Sequence, residues 1–420
     1  AILSRGHAVL EYLSLMEELN GPASGSLFSG RIDLDQIGLI GHSRGGEAVV
    51  AAERINRDES RGRAIRGVVA IAPTDFLGLV HSTTAIHLVY GSADGDVSPG
   101  WPFHIYDRAS PEKSMTFVYG AIHNRFSSHP DWRGLVDPRV TIPYTPAPLD
   151  SDDPRRLSLA EHQDIARAYS LAFLELHFRG QSGYAEYLQH YRRPDSVPGV
   201  ELHQQFQRPG TLVVDDYQQG TLDRSVALGP QLAARAAANT LGEDVTVTAL
   251  ATPGGLDDPR TEASLQHRDL NFFWHDTVGG MIAWDDTAGV YRTELGAVNA
   301  SGFNALSLRV TQRFGSGRNP DPDPGGLTPG DPKDFFVGLA DGAGNTAVVR
   351  AGSVTDIPFP YKRHDDIDLT KSAMKTVKIP LNAFSGVNSR LRLDALAAVT
   401  LEFRASATGE IAVDNIELSN

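Results

Sequence analysis

The stretch that most restricts what this chain can fold into is residues 37–46, Ile-Gly-Leu-Ile-Gly-His-Ser-Arg-Gly-Gly. An apolar run ends in Gly41-His42-Ser43-Arg44-Gly45, which fits G-x-S-x-G, and a helical pattern follows over residues 47–55. Strand, tight turn and helix, in that order, are the context of a nucleophile elbow, which holds a serine at the carboxyl end of a buried strand with its hydroxyl exposed. The turn is strained, so its flanks must be small. Gly41 and Gly45 meet that demand, and Gly46 lets the helix pack close to the strand. The bare five-residue pattern also arises by chance in glycine-rich loops; the strand and helix on the correct sides set this one apart.

The surrounding sequence supplies a sheet to carry the turn. Val9, Leu10, Leu13, Met16 and Leu19 form one helical stripe, closed by Asn20-Gly21-Pro22. Strands are predicted over residues 32–40, 66–73, 85–91 and 115–120. Val68-Val69-Ala70-Ile71 is continuous rather than alternating, as in a strand buried on both faces. A long helical pattern covers residues 157–178. Strands alternating with helices imply a parallel sheet with both faces covered, so residues 1–182 read as an α/β domain.

Beyond Gly180 the texture changes. Residues 183–210, with Pro194, Pro198 and Pro209, read as a linker that opens with a short helix over 184–191. From residue 211 to 420 strands dominate, at 211–217, 245–251, 270–275, 305–314, 335–339, 376–380, 399–403 and 410–418, with one helical candidate at 232–241. Many short strands separated by turn signals are the pattern of a β-sandwich. Residues 315–332, rich in Pro, Gly and Asp, form a long loop.

Composition narrows the partners. With 420 residues there is room for two or three domains, and a net charge of -14 argues against nucleic acid or an anionic membrane surface. No apolar run is long enough to span a bilayer. The absence of cysteine removes disulfides and thiolate metal sites.

A serine hydroxyl needs a base, and the base needs an orienting acid. In this kind of sheet the acid and then the histidine follow the serine in the chain, in loops at the carboxyl ends of later strands. His123, just after the strand ending at Gly120, is the expected base; a solvated or structural histidine is the competing reading. Asp94, in the loop Gly91-Ser-Ala-Asp-Gly-Asp-Val, is the first choice for the acid and Asp96 the alternate, although Asp and Gly also cap such loops for backbone reasons. Asp75 reads rather as a helix cap. The amide of Arg44 is expected to donate to an oxyanion, and a second donor comes from a loop after an earlier strand. The sequence holds no such strand, so an N-terminal segment, separate, cleaved or unrecorded, is expected to complete the sheet beside residues 37–40.

With Gly41-His42-Ser43-Arg44-Gly45-Gly46, Asp94, Asp96 and Gly120-Ala-Ile-His123-Asn in view, residues 1–180 resemble the second half of the α/β-hydrolase fold. Within that superfamily the chain is similar to bacterial serine esterases of the cutinase-like, polyester-hydrolase and dienelactone-hydrolase branches. The resemblance implies Ser43 as nucleophile, His123 as base, Asp94 or Asp96 as acid, an ester substrate and no catalytic cofactor. Two acids stand in the loop where the family pattern needs one. The carboxyl-terminal half resembles galactose-binding-like jelly rolls and carbohydrate-binding modules, on Leu212-Val-Val-Asp-Asp-Tyr217 and Ile411-Ala-Val-Asp-Asn-Ile-Glu-Leu418. In such modules the first and last strands often pair. Asp215, Asp216 and Asp414 there are either a structural calcium set or solvated strand-end acids. Trp274, Trp284, Tyr291, Phe359 and Tyr361 are either core or a sugar-stacking surface. Together these likenesses imply a secreted or cell-surface serine hydrolase. An amidase or peptidase of the same fold, and a non-catalytic carbohydrate- or surface-binding protein, are the alternatives.

Overall fold

The computed structural model describes residues 1–127, 157–215, the backbone of 245–249 and 275–420, apart from 98, 99, 111, 190, 191, 198, 276, 278, 285, 286, 288, 289, 314–316, 320–332 and 363–370. These form two compact units, Ala1–Pro209 and Gly210–Asn420.

The first unit is built on a five-stranded sheet in the order β1-β2-β3-β4-β5. Its strands are β1 (Ile37–His42), β2 (Ile65–Ile71), β3 (Ala85–Gly91), β4 (Lys113–Val118) and β5 (Leu202–Gln207). The first four are parallel and β5 is antiparallel to β4. Helix α1 (Ile2–Asn20) lies on α2 (Arg44–Asp58), with Gly6 close against Ile55 and Ala51. Helix α4 (Leu159–Arg179) covers the face carrying Val69 and Ile71. Phe173 and Phe178 reach that face over Gly67 and Gly38, where a Cβ would lie 2.7 Å and 3.0 Å from their rings. A capping box of Ser158 and Glu161 starts α4, and Gly180 in the left-handed region ends it. Helix α3 (Trp101–Arg108) links β3 to β4.

Strand β5 corrects the linker expected over 183–210. Its residues alternate Leu202, Gln204 and Phe206 against His203 and Gln205, and Leu202 and Phe206 join the core beneath α4. Gln204 interrupts the apolar face of Leu202 and Phe206, and prolines flank the segment, so the sequence shows no clear period of two there. At the other end of the order, β1 is an edge strand whose Ile40 is 51% exposed.

The second unit stacks two antiparallel sheets over one apolar core. One has the order β13-β10-β15-β8-β7, from Lys375–Pro380, Ala305–Gln312, Gly409–Ser419, Gly280–Trp284 and Val245–Ala249. The other runs β12-β11-β14-β9, from Thr346–Arg350, Phe336–Asp341, Leu396–Glu402 and Val290–Val298. The first strand of the unit, β6 (Leu212–Asp215), pairs antiparallel with the last, β15, with Leu212 opposite Leu418. Leu306, Leu308 and Val310 point into the core from β10, and Ile411, Val413, Ile416 and Leu418 from β15. Trp284 stacks on Phe403 at 4.3 Å, and its indole N–H donates to the Ser406 carbonyl. Gly409 is required there, since a Cβ would lie 2.2 Å from the indole.

Trp284, Tyr291, Phe359 and Tyr361 are all buried, whereas Trp274 lies outside the described residues, as does the helical candidate at 232–241.

Candidate active site

Ser43 sits between β1 and α2 with φ 57° and ψ -128°, a conformation that costs a non-glycine residue free energy and persists only where its surroundings enforce it. The surroundings are identifiable. The Ser43 amide donates to the Ile71 carbonyl at 2.9 Å, and its carbonyl accepts from Gly46 at 2.8 Å and Thr74 at 3.3 Å. A Cβ on Gly41 would stand 2.1 Å from the Gly45 carbonyl oxygen, and one on Gly46 2.9 Å from Pro73. Gly45 is different. Nothing lies within 4 Å of its would-be Cβ, so the close approach is made by Gly41 and Gly46 and not by all three glycines.

The loops that carry Asp94 and His123 are fastened to one another. Ser92 and Ala93 donate their amides to the carbonyls of Val118 and Ala121, and the Ser92 hydroxyl accepts from the Gly120 amide at 2.9 Å. Gly91 makes this possible, because a Cβ there would lie 2.3 Å from the Ala121 carbonyl oxygen. Asp94 is buried. Its Oδ1 accepts from the amides of Asp96 and Val97 at 2.9 and 3.0 Å, and its Oδ2 accepts from His123 Nδ1 at 2.9 Å. A carboxylate only accepts, so Asp94 holds a proton of His123 on Nδ1. Asp96 reaches the other side of the same ring, with Oδ2 3.3 Å from Nε2, on a side chain 37% exposed. Both acids of the loop thus converge on one imidazole, and burial and bond length distinguish them.

The elbow and the base are linked by a residue the motif leaves undefined. His42 stacks on His123 with ring centroids 4.7 Å apart, and its Nε2–H donates to the His123 carbonyl at 3.0 Å. Burial, reinforced by His123, pushes His42 down to about 4, so it is neutral at pH 7 and serves as a spacer. From α4, His162 accepts the Ile122 amide on Nε2 at 2.9 Å and donates Nδ1–H to the Ser158 carbonyl at 2.7 Å. That bond holds the residue next to His123. Neither histidine carries a sequence signal beyond its chain position.

Asp75 is placed elsewhere. Both its oxygens accept from Arg108 at 2.6 Å, and His104 stands 3.5 Å away, which commits it to α3. Arg44 is the first residue of α2, whose opening amides have no intrahelical acceptor by helix geometry.

Of the three carboxylates proposed for calcium, Asp414 is already paired with a cation. Asp414 Oδ2 accepts from Arg309 at 2.8 Å and from Thr277 at 3.1 Å, both buried, so a guanidinium stands where a cation would have to enter. Asp215 is buried on the partner strand, and Asp216 lies outside the described residues. Among the described residues no three His, Cys, Asp or Glu side chains converge on one metal position. No described helix is long and apolar enough to cross a membrane.

No protein-family model matches the sequence, and no curated protein is similar to it. Among solved structures, the chain is similar to the family 11 carbohydrate-binding module of the cellulosomal cellulase Lic26A-Cel5E of Clostridium thermocellum. Identity is 14% and the TM-score 0.29, over 51% of this chain and 96% of that one. It is also similar to the family 30 carbohydrate-binding module of the cellulosomal cellulase Cel9D-Cel44B of that organism. There identity is 13% and the TM-score 0.26, over 43% of this chain and 84% of that one.

Proposed function

We propose that the first unit is a serine hydrolase of the α/β-hydrolase type that cleaves carboxylic esters. The observation that carries this reading is the buried Asp94–His123 pair, joined through His42 to a serine in a strained strand-to-helix turn. In this reading Ser43 Oγ attacks the ester carbonyl carbon while His123 Nε2 takes its proton. The same proton then passes to the departing alkoxide, leaving an acyl-enzyme that water hydrolyses by the reverse sequence. Asp94 keeps the imidazole in the competent tautomer and stabilises the imidazolium. Asp96, on an exposed side chain at Nε2, yields that nitrogen to the serine hydroxyl. The Arg44 amide supports the developing oxyanion.

A fluorophosphonate probe tests this directly. It should label Ser43 in the wild-type protein and fail on Ser43→Ala and His123→Ala. Absence of labelling on a folded wild-type protein would refute the reading. The two-sheet antiparallel second unit favours a different one, a carbohydrate- or surface-binding protein whose first unit is not catalytic. Retention on an insoluble polysaccharide without probe labelling would select it.

A further inference from the structure

The loop after β2 is held far more firmly than its exposure warrants. Glu47, in the first turn of α2, is buried and spends both carboxylate oxygens on this loop. Oε2 accepts from the Thr74 hydroxyl at 2.6 Å and Oε1 from the Leu77 amide at 2.8 Å. Asp75, between them, is tied to Arg108. Ala72 carries φ 43° at the foot of the loop, and its amide donates to the Val89 carbonyl at 2.7 Å. Burying a carboxylate and holding an alanine in the left-handed region both cost free energy. What they fix in place is Phe76, 59% exposed, and Leu77, 41% exposed. Phe76 meets the edge of Trp101 at 4.8 Å and 63°. A single exposed phenylalanine needs no explanation. An aromatic pair whose backbone is pinned on both sides, two residues from the Thr74 amide that bonds the Ser43 carbonyl, does.

We propose that Phe76 and Trp101 form an apolar ledge, on the loop whose Thr74 amide bonds the Ser43 carbonyl, that receives a flat apolar group of the substrate, and that Glu47 is the positioning residue that holds the ledge. The substrate class is then an ester with an aryl or similarly flat apolar substituent. This rests on the hydrolase reading for turnover, though not for binding. Glu47 touches no substrate. It ties the ledge to the elbow, because its helix α2 follows directly on Ser43, the N-cap.

The test separates the two readings. In Ser43→Ala protein, where turnover is removed, 2-naphthyl acetate is titrated calorimetrically with and without Phe76→Ala, Trp101→Ala, Glu47→Ala and Glu47→Gln. Removing one member of an aromatic contact is expected to weaken binding about tenfold. Glu47→Ala should weaken it comparably, and Glu47→Gln, which keeps an acceptor for the Leu77 amide, should recover most of the loss. In the wild-type background the same changes should raise KM for this ester with little change in kcat. Phe76 is exposed, so Phe76→Ala folds and decides the matter if Glu47→Ala does not. Affinity within twofold of the parent in Phe76→Ala and Trp101→Ala overturns the ledge. Wild-type protein that binds the ester through the ledge without cleaving it refutes the hydrolase reading and leaves the ledge standing.

Discussion

Changing Asp94 to Asn should abolish turnover without unfolding the protein, and the surrounding bonds say why. The side chain has two obligations. Oδ1 accepts two backbone amides, Asp96 at 2.9 Å and Val97 at 3.0 Å, and Oδ2 accepts from His123 Nδ1 at 2.9 Å. An asparagine keeps the loop by placing its one oxygen on the two amides, which sets its NH2 group against Nδ1. His123 must then accept at Nδ1 and carry its proton on Nε2, where it is no longer a base. Flipping the amide restores the competent tautomer but forfeits two hydrogen bonds in a buried loop, at about 1–1.5 kcal/mol each. The competent form is thereby reduced roughly 10²-fold. Loss of the negative charge that stabilises the imidazolium brings the expected fall in kcat to about 10³–10⁴-fold, with KM little changed. Asp96→Asn, on a side chain 37% exposed at 3.3 Å from Nε2, should cost less than about tenfold. Hydrolysis of a nitrophenyl ester, with melting temperature as the fold control, measures both. If Asp94→Asn kept a tenth of wild-type kcat, or Asp96→Asn cost as much, the assignment of the acid would be wrong.

Gly41→Ala should destabilise the first unit by roughly 3 kcal/mol, because its Cβ meets backbone at 2.1 Å, whereas Gly45→Ala, inside α2 with open space, should be neutral or stabilising by up to about 1 kcal/mol; denaturant titration distinguishes them. Burial pushes His42 and His81 down to about 4 and His87 to about 3, so each is neutral when folded and takes up a proton on unfolding below its usual value of 6.5. Stability should therefore rise with pH from about 4 to 6.5, by up to about 1.4 kcal/mol per unit for each histidine, and a melting temperature that is flat across that window would contradict it.

What the sequence disclosed, and what it withheld, follows from how local each signal is. The elbow is written within ten residues, because strand, glycines and helix are contiguous, and the four parallel strands are legible because each holds a largely apolar stretch, clearest in Val68-Val69-Ala70-Ile71. Strand β5 is not, since four of its six residues are polar; Gln204 accepts from the Thr116 hydroxyl at 2.9 Å, and no local pattern announces a bond between residues so far apart. Strands β8, β9 and β12 of the second unit escaped as well, although β8, Gly280–Trp284, is apolar throughout and only five residues long. The choice between Asp94 and Asp96 illustrates the limit most sharply. Two residues apart in one loop, they differ in the sequence only in their spacing from Gly91, which ranks Asp94 first. They part only when the Ser92 and Ala93 amides fasten the loop to the end of β4 and drive Asp94 beneath the imidazole. Which acid is buried depends on Gly91 lacking the Cβ that would strike the Ala121 carbonyl, a contact across thirty residues of chain. Gly91→Ala should therefore mimic Asp94→Asn in kcat although residue 91 carries no catalytic group, since pushing the two loops apart lengthens the Asp94–His123 bond. It should differ in one respect. Because the added carbon collides with backbone, it should also lower the melting temperature, and a Gly91→Ala protein that is fully active and fully stable would show that the acid and base are not aligned by this contact.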